Sequence, residues 1–201
     1  SDTSWLFAWK IGFFSLIALS LYTPLSMYII FALVGAGLLH PHLRHTIKKL
    51  SGSKLFFASM IGFVIVSPII YAVFQEPSVG LSLLGIPSQL PAIVPNLQLL
   101  FSEFFNFAHP TNGIMMTPIY GLPSVILIAL GVYRMFTTKY TARSYIITAW
   151  LLLLIPVLVI NHRVVAITFV PFLLLMALGI NYLIGYWYKL FPANPYARIA
   201  G

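Results

Sequence analysis

The sequence predicts an all-α integral membrane protein with six transmembrane helices, both termini in the cytoplasm and an amphipathic helix in a long outer loop. Of the 201 residues, 60% are hydrophobic and 7% are charged, whereas a soluble domain has about 25% charged residues. No charge occurs in residues 11–43, 55–75, 104–133 or 144–162, and apolar stretches of about 18 residues or more are typical of membrane spans. We therefore expect residues 1–201 to form one multi-pass domain in the cell membrane.

The first apolar region, residues 5–39, is too long for one crossing of a hydrocarbon core of about 30 Å. It is divided by Tyr-Thr-Pro at 22–24. Proline disfavours a helical conformation at the residue before it and is well suited to the first turn of a new helix. The region therefore predicts two helices, at about 5–21 and 25–39, joined by a tight turn.

The remaining apolar stretches predict four more membrane helices. Pro171 is expected to kink the last of them. The tail that follows, from residue 187, is too polar and too rich in proline to cross a membrane. The four helices are predicted at 55–75, about 119–136, about 144–160 and about 164–183.

The basic residues support this topology. With six spans and a cytoplasmic N-terminus, ten of the eleven Lys and Arg residues lie on the cytoplasmic side and only Arg163 lies outside. This distribution follows the known excess of Lys and Arg in cytoplasmic loops. The net charge of +8 is thus explained without nucleic acid, because no basic stripe with interleaved aromatic residues is present. We expect membrane lipids, and no nucleic acid, as partners.

The predicted extracytoplasmic loop, residues 76–118, is too long to be a simple connection. After Pro95, residues 96–107 have the pattern of an amphipathic helix, with Gln98, Ser102 and Asn106 on one polar stripe and Leu and Phe residues elsewhere. Such a helix lies in the plane of the membrane surface. It either closes the top of the bundle or forms a lid over a groove that faces lipid.

Arg163 is the most informative single residue. Basic residues are normally enriched on the cytoplasmic side of the membrane, whereas Arg163 is predicted to lie on the outer side. A phosphate group at the outer surface would hold it there, since a guanidinium binds phosphate oxygens in a bidentate manner. Backbone N–H groups at the start of the next helix would strengthen such an anion site. The alternatives are contact with phospholipid headgroups and an ion pair with Glu76 or Glu103.

The other polar residues are less specific. The segment at 109–112, which begins with His109, has the composition of a turn. Three histidines, at 40, 42 and 45, have a spacing that a metal site could use, but no carboxylate lies near them, and a solvated inner loop is favoured. We expect no metal and no cofactor. The chain has no cysteine and none of the common phosphate-loop, serine-hydrolase or zinc-protease motifs.

Four segments together resemble a known family. They are Ala-Leu-Ser-Leu-Tyr-Thr-Pro at 18–24, Ser67-Pro68 after a basic inner loop, Gly121-Leu-Pro123 after the aromatic outer loop, and His162-Arg163 ahead of Pro171. Their order resembles that in the second half of GT-C superfamily glycosyltransferases. It is most similar to the branch that contains protein O-mannosyltransferases and lipid A aminoarabinose transferases.

The resemblance implies a sugar donor linked to a polyprenyl phosphate and transfer of the sugar on the extracytoplasmic face. It implies that Arg163 binds the phosphate of the lipid carrier and that His162 assists. It also implies that the outer loop shapes the groove, with Tyr22 and His109 as groove residues.

In that family an acidic residue in the first outer loop activates the acceptor. Here the corresponding turn is Tyr-Thr-Pro at 22–24, and Asp2 is predicted to lie inside. The resemblance therefore assigns no catalytic residue to this chain, and Glu103 is only a distant candidate for a base.

We expect the chain to be a fragment that lacks an N-terminal catalytic half, because it begins with neither an initiator Met nor a signal peptide. A missing N-terminal portion or a partner subunit would then supply catalysis, and the chain alone would be inactive. The alternative is a non-catalytic membrane scaffold or a transporter subunit. A transporter typically has two repeated halves, and no repeat is recognisable between residues 1–100 and 101–201.

Overall fold

The computed structural model describes residues 2–49, 52–89, 92–105, 119–138 and 141–190, without the side chains of residues 2–6 and 48. Within these ranges every regular element is helical. The elements are α1 (Asp2–Ser20), α2 (Met27–Leu39), α3 (Pro41–Lys48), α4 (Gly52–Gln75), α5 (Pro77–Leu84), α6 (Ile93–Phe105), α7 (Leu122–Thr137), α8 (Ala142–Ile160), a 3₁₀ segment (His162–Thr168) and α9 (Phe169–Leu190).

Several of these helices are of the membrane-spanning type. In the described part of the chain, α4, α8 and the continuous stretch His162–Leu190 are long and apolar enough to cross a membrane. A fourth crossing is possible if α2 and α3, which are bent by 94°, form one broken span. The apolar helices α1, α6 and α7 are shorter. The all-helical, membrane-type fold is thus confirmed, and the number of six crossings stays a prediction.

Two short helices differ from the sequence prediction. Residues expected to form a solvated inner loop contain α3, whose first turn is capped by the buried His40: its Nδ1 accepts a hydrogen bond from the backbone N–H of Leu43 at 3.3 Å. The long outer connection contains α5 as well as the predicted amphipathic helix. That helix, α6, begins at Ile93, with Pro95 in its first turn, where the missing N–H of proline removes no hydrogen bond.

The break expected at Pro171 lies slightly before it. The chain passes from the 3₁₀ segment to α9 between Thr168 and Phe169. Pro171 is buried in the first turn of α9, and a proline there starts a helix rather than interrupting one. The two prolines that are truly interior, Pro68 and Pro156, lie in α4 and α8.

The carbonyl groups around Pro68 receive other donors. Since proline has no N–H, the carbonyl of Val64 loses its helical partner, and the hydroxyl of Ser67 donates to it at 2.8 Å. The hydroxyl of Tyr22 donates to the neighbouring carbonyl of Ile65 at 2.7 Å. Tyr22 thus fastens the end of α1 to the middle of α4.

The helices pack as three pairs, α1 with α4, α2 with α8, and α7 with α9. The partners α2 and α8 are antiparallel: Leu25 and Val157 both lie beside Gly85 at one end, and the rings of His40 and Tyr145 are 5.1 Å apart at the other.

The other two pairs are parallel. In the α7–α9 pair, the rings of Tyr120 and Phe172 are 5.3 Å apart near the two helix starts. The rings of Tyr133 and Tyr182 are 5.5 Å apart further along both helices. In the α1–α4 pair, the contact of Phe14 with Gly62 and that of Tyr22 with Ile65 follow the same direction.

Many large apolar side chains face outward. On α4 alone, Phe56, Phe63 and Phe74 are 66%, 66% and 84% exposed. A soluble monomer rarely exposes so continuous an apolar surface. Contact with lipid, or with another membrane chain, is the environment that such a surface requires.

Candidate functional site

The C-terminal end of α8 is held by a side chain from a distant part of the sequence. The last carbonyl groups of a helix lack intrahelical partners, and in an apolar environment each needs another donor. The backbone N–H of Asn161 donates to Val157 O at 2.7 Å. The side-chain amide of Asn96, on α6, donates to the carbonyl oxygens of Leu158 and Val159. Asn96 is only 4% exposed, so a buried polar contact anchors α6 on α8.

The same asparagine fixes the orientation of the His162 ring. Since carbonyl oxygens only accept hydrogen bonds, the atom of Asn96 that faces them is the donor Nδ2. The other amide atom of Asn96, Oδ1, contacts Nδ1 of His162. Because an amide oxygen only accepts hydrogen bonds, Nδ1 must be the donor and carries the proton. In the neutral ring this arrangement leaves Nε2 as an acceptor. Asn96 therefore holds His162 in a form in which Nε2 can accept a hydrogen bond or a proton from a ligand.

The C-terminal end of α5 is hydrogen-bonded to the turn between α1 and α2 and to the first turn of α2. The backbone N–H of Leu25 donates to Leu83 O at 2.7 Å, and the hydroxyl of Tyr28 donates to Leu84 O at 2.8 Å. These bonds satisfy carbonyl groups at the C-terminal end of α5, in the same way as Asn96 does for α8.

Two residues with positive φ meet where these elements join. Gly85 ends α5 with φ = 70°, a conformation that favours glycine. Leu25 has φ = 68° and is buried against it; for a residue with a Cβ this conformation costs about 1–2 kcal/mol. The carbonyl of Gly85 accepts a hydrogen bond from Asn161 Nδ2 at 2.9 Å. The two residues before Arg163 are thus both held in place: Asn161 is bonded to Gly85 at the end of α5, and His162 is bonded to Asn96 on α6.

Arg163 lies immediately beyond this junction, in the first turn of the 3₁₀ segment, and its side chain is exposed. Within the described ranges it makes no hydrogen bond or ion pair. The alternative of an ion pair with Glu76 or Glu103 is therefore not observed; Glu76 instead accepts a hydrogen bond from Ser78 at 2.6 Å. The backbone next to Arg163 is irregular, with Val164 at φ = −91° and ψ = 15°.

Glu103 is on α6, the helix that Asn96 anchors. Its Oε2 is buried and has no hydrogen-bond partner among the residues that the structure describes. A buried oxygen of this kind is uncommon unless a ligand or water completes it. The backbone carbonyl of Glu103 accepts a hydrogen bond from the N–H of Ile119 at 3.0 Å, so the start of the segment leading into α7 lies beside it.

An aromatic cluster adjoins Glu103 in the sequence. Phe104 stacks on Tyr120 with 6.0 Å between ring centroids, and both contact Phe172 of α9. The hydroxyls of Tyr120 and Thr168 are 3.2 Å apart. Burial raises the pKa of the Tyr120 phenol above its usual value, and the hydrogen bond with Thr168 opposes this. Tyr120 is therefore a neutral hydrogen-bonding group at physiological pH.

The structure brings together only part of the set predicted from sequence. Arg163 and His162 are adjacent at the junction, whereas Tyr22 is tied to α4 and is half exposed. His109 lies outside the described residues. No group of three or more His, Cys, Asp or Glu side chains that could hold a metal occurs among the described residues.

Sequence reasoning missed Asn96 and Asn161. The predicted polar stripe consisted of Gln98, Ser102 and Asn106. Gln98 is exposed, the Ser102 hydroxyl donates to Leu99 O of its own helix, and Asn106 lies outside the described residues. The buried polar residue is Asn96, outside that stripe. An amide next to Pro95, in an otherwise apolar first turn, is the one local signal that could have indicated it.

Comparisons with protein-family models, with curated proteins and with solved structures find no match for this chain. Its function is therefore inferred from the chemistry of the junction and from the order of its sequence motifs.

Proposed function

We propose that the chain crosses the cell membrane six times, with both termini in the cytoplasm. The six spans are α1, α2, α4, α7, α8 and the 3₁₀ segment with α9. Alternating spans predict that the first and third are parallel, the second and fifth antiparallel, and the fourth and sixth parallel. The directions of the three helix pairs agree with each of these expectations. The short apolar helices α1 and α7 each pack beside one of the long helices, α4 and α9, as a helix inside the membrane would.

On this topology, we propose that the chain is the membrane module of a glycosyltransferase that uses a polyprenyl-phosphate-linked sugar on the extracytoplasmic face. The observation that carries the proposal is the exposed Arg163 side chain, which forms no ion pair among the described residues and directly follows two residues that are bonded to Gly85 and to α6. An exposed guanidinium that forms no ion pair within the protein is available to bind an external anion. The phosphate of a lipid carrier is an anion that reaches this depth.

The neighbouring groups suit the same ligand. His162, oriented by Asn96, lies next in the chain; the Nε2 atom of its neutral ring is an acceptor, which suits a hydroxyl group of the sugar and not a phosphate oxygen. The first N–H groups of the 3₁₀ segment add partial positive charge. Helix α6 covers the adjoining surface and carries Glu103, whose buried oxygen is the one candidate base. The groove that the resemblance implies also includes Tyr22 and His109, and the acceptor-activating acid would be supplied from outside residues 1–201.

A second candidate function is a non-catalytic scaffold subunit. It is favoured by α4, because only 11% of the apolar stretch of this helix is buried within the chain. A partner chain would cover this face in a scaffold, and lipid would cover it in the transferase module. The two functions differ in whether Arg163 matters.

We expect Arg163→Gln to lower the affinity of the purified chain for a polyprenyl phosphate by about ten-fold or more, because a charge-assisted bidentate contact is lost. Arg163→Lys should give an intermediate affinity, since it keeps the charge but not the planar fork. Titration of the detergent-solubilised protein, or native mass spectrometry, measures both.

The matched control is Arg44→Gln, which removes an equally exposed arginine on α3. It should bind the polyprenyl phosphate as the unchanged chain does. Equal affinity of the Arg163→Gln and Arg44→Gln variants would remove the carrier site and favour the scaffold.

A further inference from the structure

A polar cavity of about 280 Å³ lies where α7 ends and α8 begins, separated from Arg163 by the length of α8. Two arginines line it, one from the last turn of α7 and one from the first turn of α8. Hydroxyl and amide side chains complete its polar lining. These residues are Arg134, Arg143, Thr138, Thr141, Ser144 and Asn181.

An apolar cavity of about 540 Å³ adjoins it. The two cavities share Met135, Thr138 and Ser144 as lining residues, so they are directly adjacent. The larger one is otherwise lined mainly by hydrocarbon and aromatic side chains, among them Leu39 and Leu152. Its volume is within the range of about 300–1,000 Å³ that is usual for small-molecule sites.

No carboxylate is found among the described residues that line the polar cavity. The sequence has three acidic residues; Glu76 and Glu103 line neither cavity, and the side chain of Asp2 is not among those that the structure describes. The polar cavity also lies at the N-terminus of α8, where the helix dipole favours an anion. Two arginines and a helix N-terminus together form a site for a phosphate group.

Thr138 gives an independent indication of a ligand. It lines both cavities, and its hydroxyl oxygen is buried with no hydrogen-bond partner among the described residues. By contrast, the neighbouring hydroxyls of Thr141 and Ser144 are paired with each other at 2.7 Å. A buried hydroxyl without a partner is uncommon in a complete site, and a ligand oxygen at the junction of the two cavities would supply the partner.

We propose that these two cavities bind an anionic phospholipid, with the phosphate beside Arg134 and Arg143 and one acyl chain in the apolar cavity. The site is at the ends of membrane-type helices, where a lipid headgroup lies, and at the end of the bundle where basic residues are concentrated. It is distinct from the carrier site proposed at Arg163 and does not depend on the transferase function.

The test is binding of phosphatidylglycerol and phosphatidylcholine with identical acyl chains to the purified full chain, by native mass spectrometry in a neutral detergent. Phosphatidylglycerol should bind more tightly. The double variant Arg134→Gln/Arg143→Gln should reduce its affinity by about ten-fold or more. Lys189→Gln, which removes an exposed cation outside both cavities, should leave the affinity unchanged.

Thr138→Val keeps the proposal testable if the double variant is unstable. It removes a hydroxyl that has no partner among the described residues, so thermal stability should not fall, while phosphatidylglycerol affinity should fall several-fold. Equal binding of the two lipids, or an unchanged affinity in Thr138→Val and the double variant, would overturn the proposal.

The source of the phosphate is distinguished by inorganic phosphate and by Ala149→Phe, which fills the apolar cavity. A lipid site predicts that inorganic phosphate binds much more weakly than phosphatidylglycerol and that Ala149→Phe weakens lipid binding. If inorganic phosphate binds as tightly as the lipid and Ala149→Phe has no effect, the ligand is a free anion and the lipid assignment is wrong.

Discussion

The Gly131→Ala and Gly179→Ala substitutions should each destabilise the chain by about 1–3 kcal/mol, the usual range for an overpacked contact. At this point α7 and α9 approach so closely that their backbones touch. A Cβ at Gly131 would overlap the backbone carbonyl of Leu175. A Cβ at Gly179 would overlap the backbone carbonyl of Leu127. Because these neighbours are backbone atoms and not flexible side-chain ends, the two helices must move apart.

Thermal unfolding in detergent measures this loss. The control is Gly185→Ala, on the same helix α9, where an added Cβ meets no atom within 4 Å. Because alanine favours a helix over glycine by up to about 1 kcal/mol, this variant should be as stable as the unchanged chain or more so. If all three variants unfold at the same temperature, α7 and α9 do not pack as described.

The Asn96→Ala substitution should release α6 from the end of α8. It removes the donor to the carbonyls of Leu158 and Val159 and the acceptor for His162. Each buried polar group left without a partner lowers the stability by about 1–3 kcal/mol. Asn96→Leu restores the volume but not the hydrogen bonds, so it should be about as damaging. Amide hydrogen exchange of residues 93–105 should become faster in both variants.

The matched control is Gln98→Ala, which truncates an exposed amide two residues further along α6. Its exchange should remain slow. If Asn96→Leu protects α6 as well as asparagine does, packing rather than polar capping holds the helix, and the orientation of His162 does not depend on Asn96.

The membrane character and most helix positions could be predicted from the sequence, because they follow from local properties. Uncharged apolar stretches locate the helices, and Tyr-Thr-Pro at 22–24 does separate α1 from α2. Helices α3 and α5 were missed because each is only eight residues long, too short for hydrophobic periodicity to indicate. The capping of α3 by His40 depends on a side-chain contact that pattern analysis does not include.

The candidate site could be predicted only where a charge stood out. Arg163 was identified because the predicted topology places it on the outer side, away from all the other basic residues. Asn96 was missed because its partners, Leu158 and Val159, are more than 60 residues away, and only the folded chain brings them together. The cavity at Arg134 and Arg143 was missed for a related reason: both residues satisfied the charge rule for an inner face, so nothing in the sequence set them apart.

The side of the membrane on which Arg163 lies decides whether the proposed carrier site is correct. The chain contains no cysteine, so single cysteines can be introduced at Arg163, at the exposed Gln98 of α6 and at the exposed His45 of α3. A membrane-impermeant maleimide added to intact cells should label Arg163→Cys and Gln98→Cys. It should label His45→Cys only after the membrane is permeabilised. Labelling of Arg163→Cys only after permeabilisation, together with His45→Cys, would contradict the six-span topology and the carrier site that depends on it.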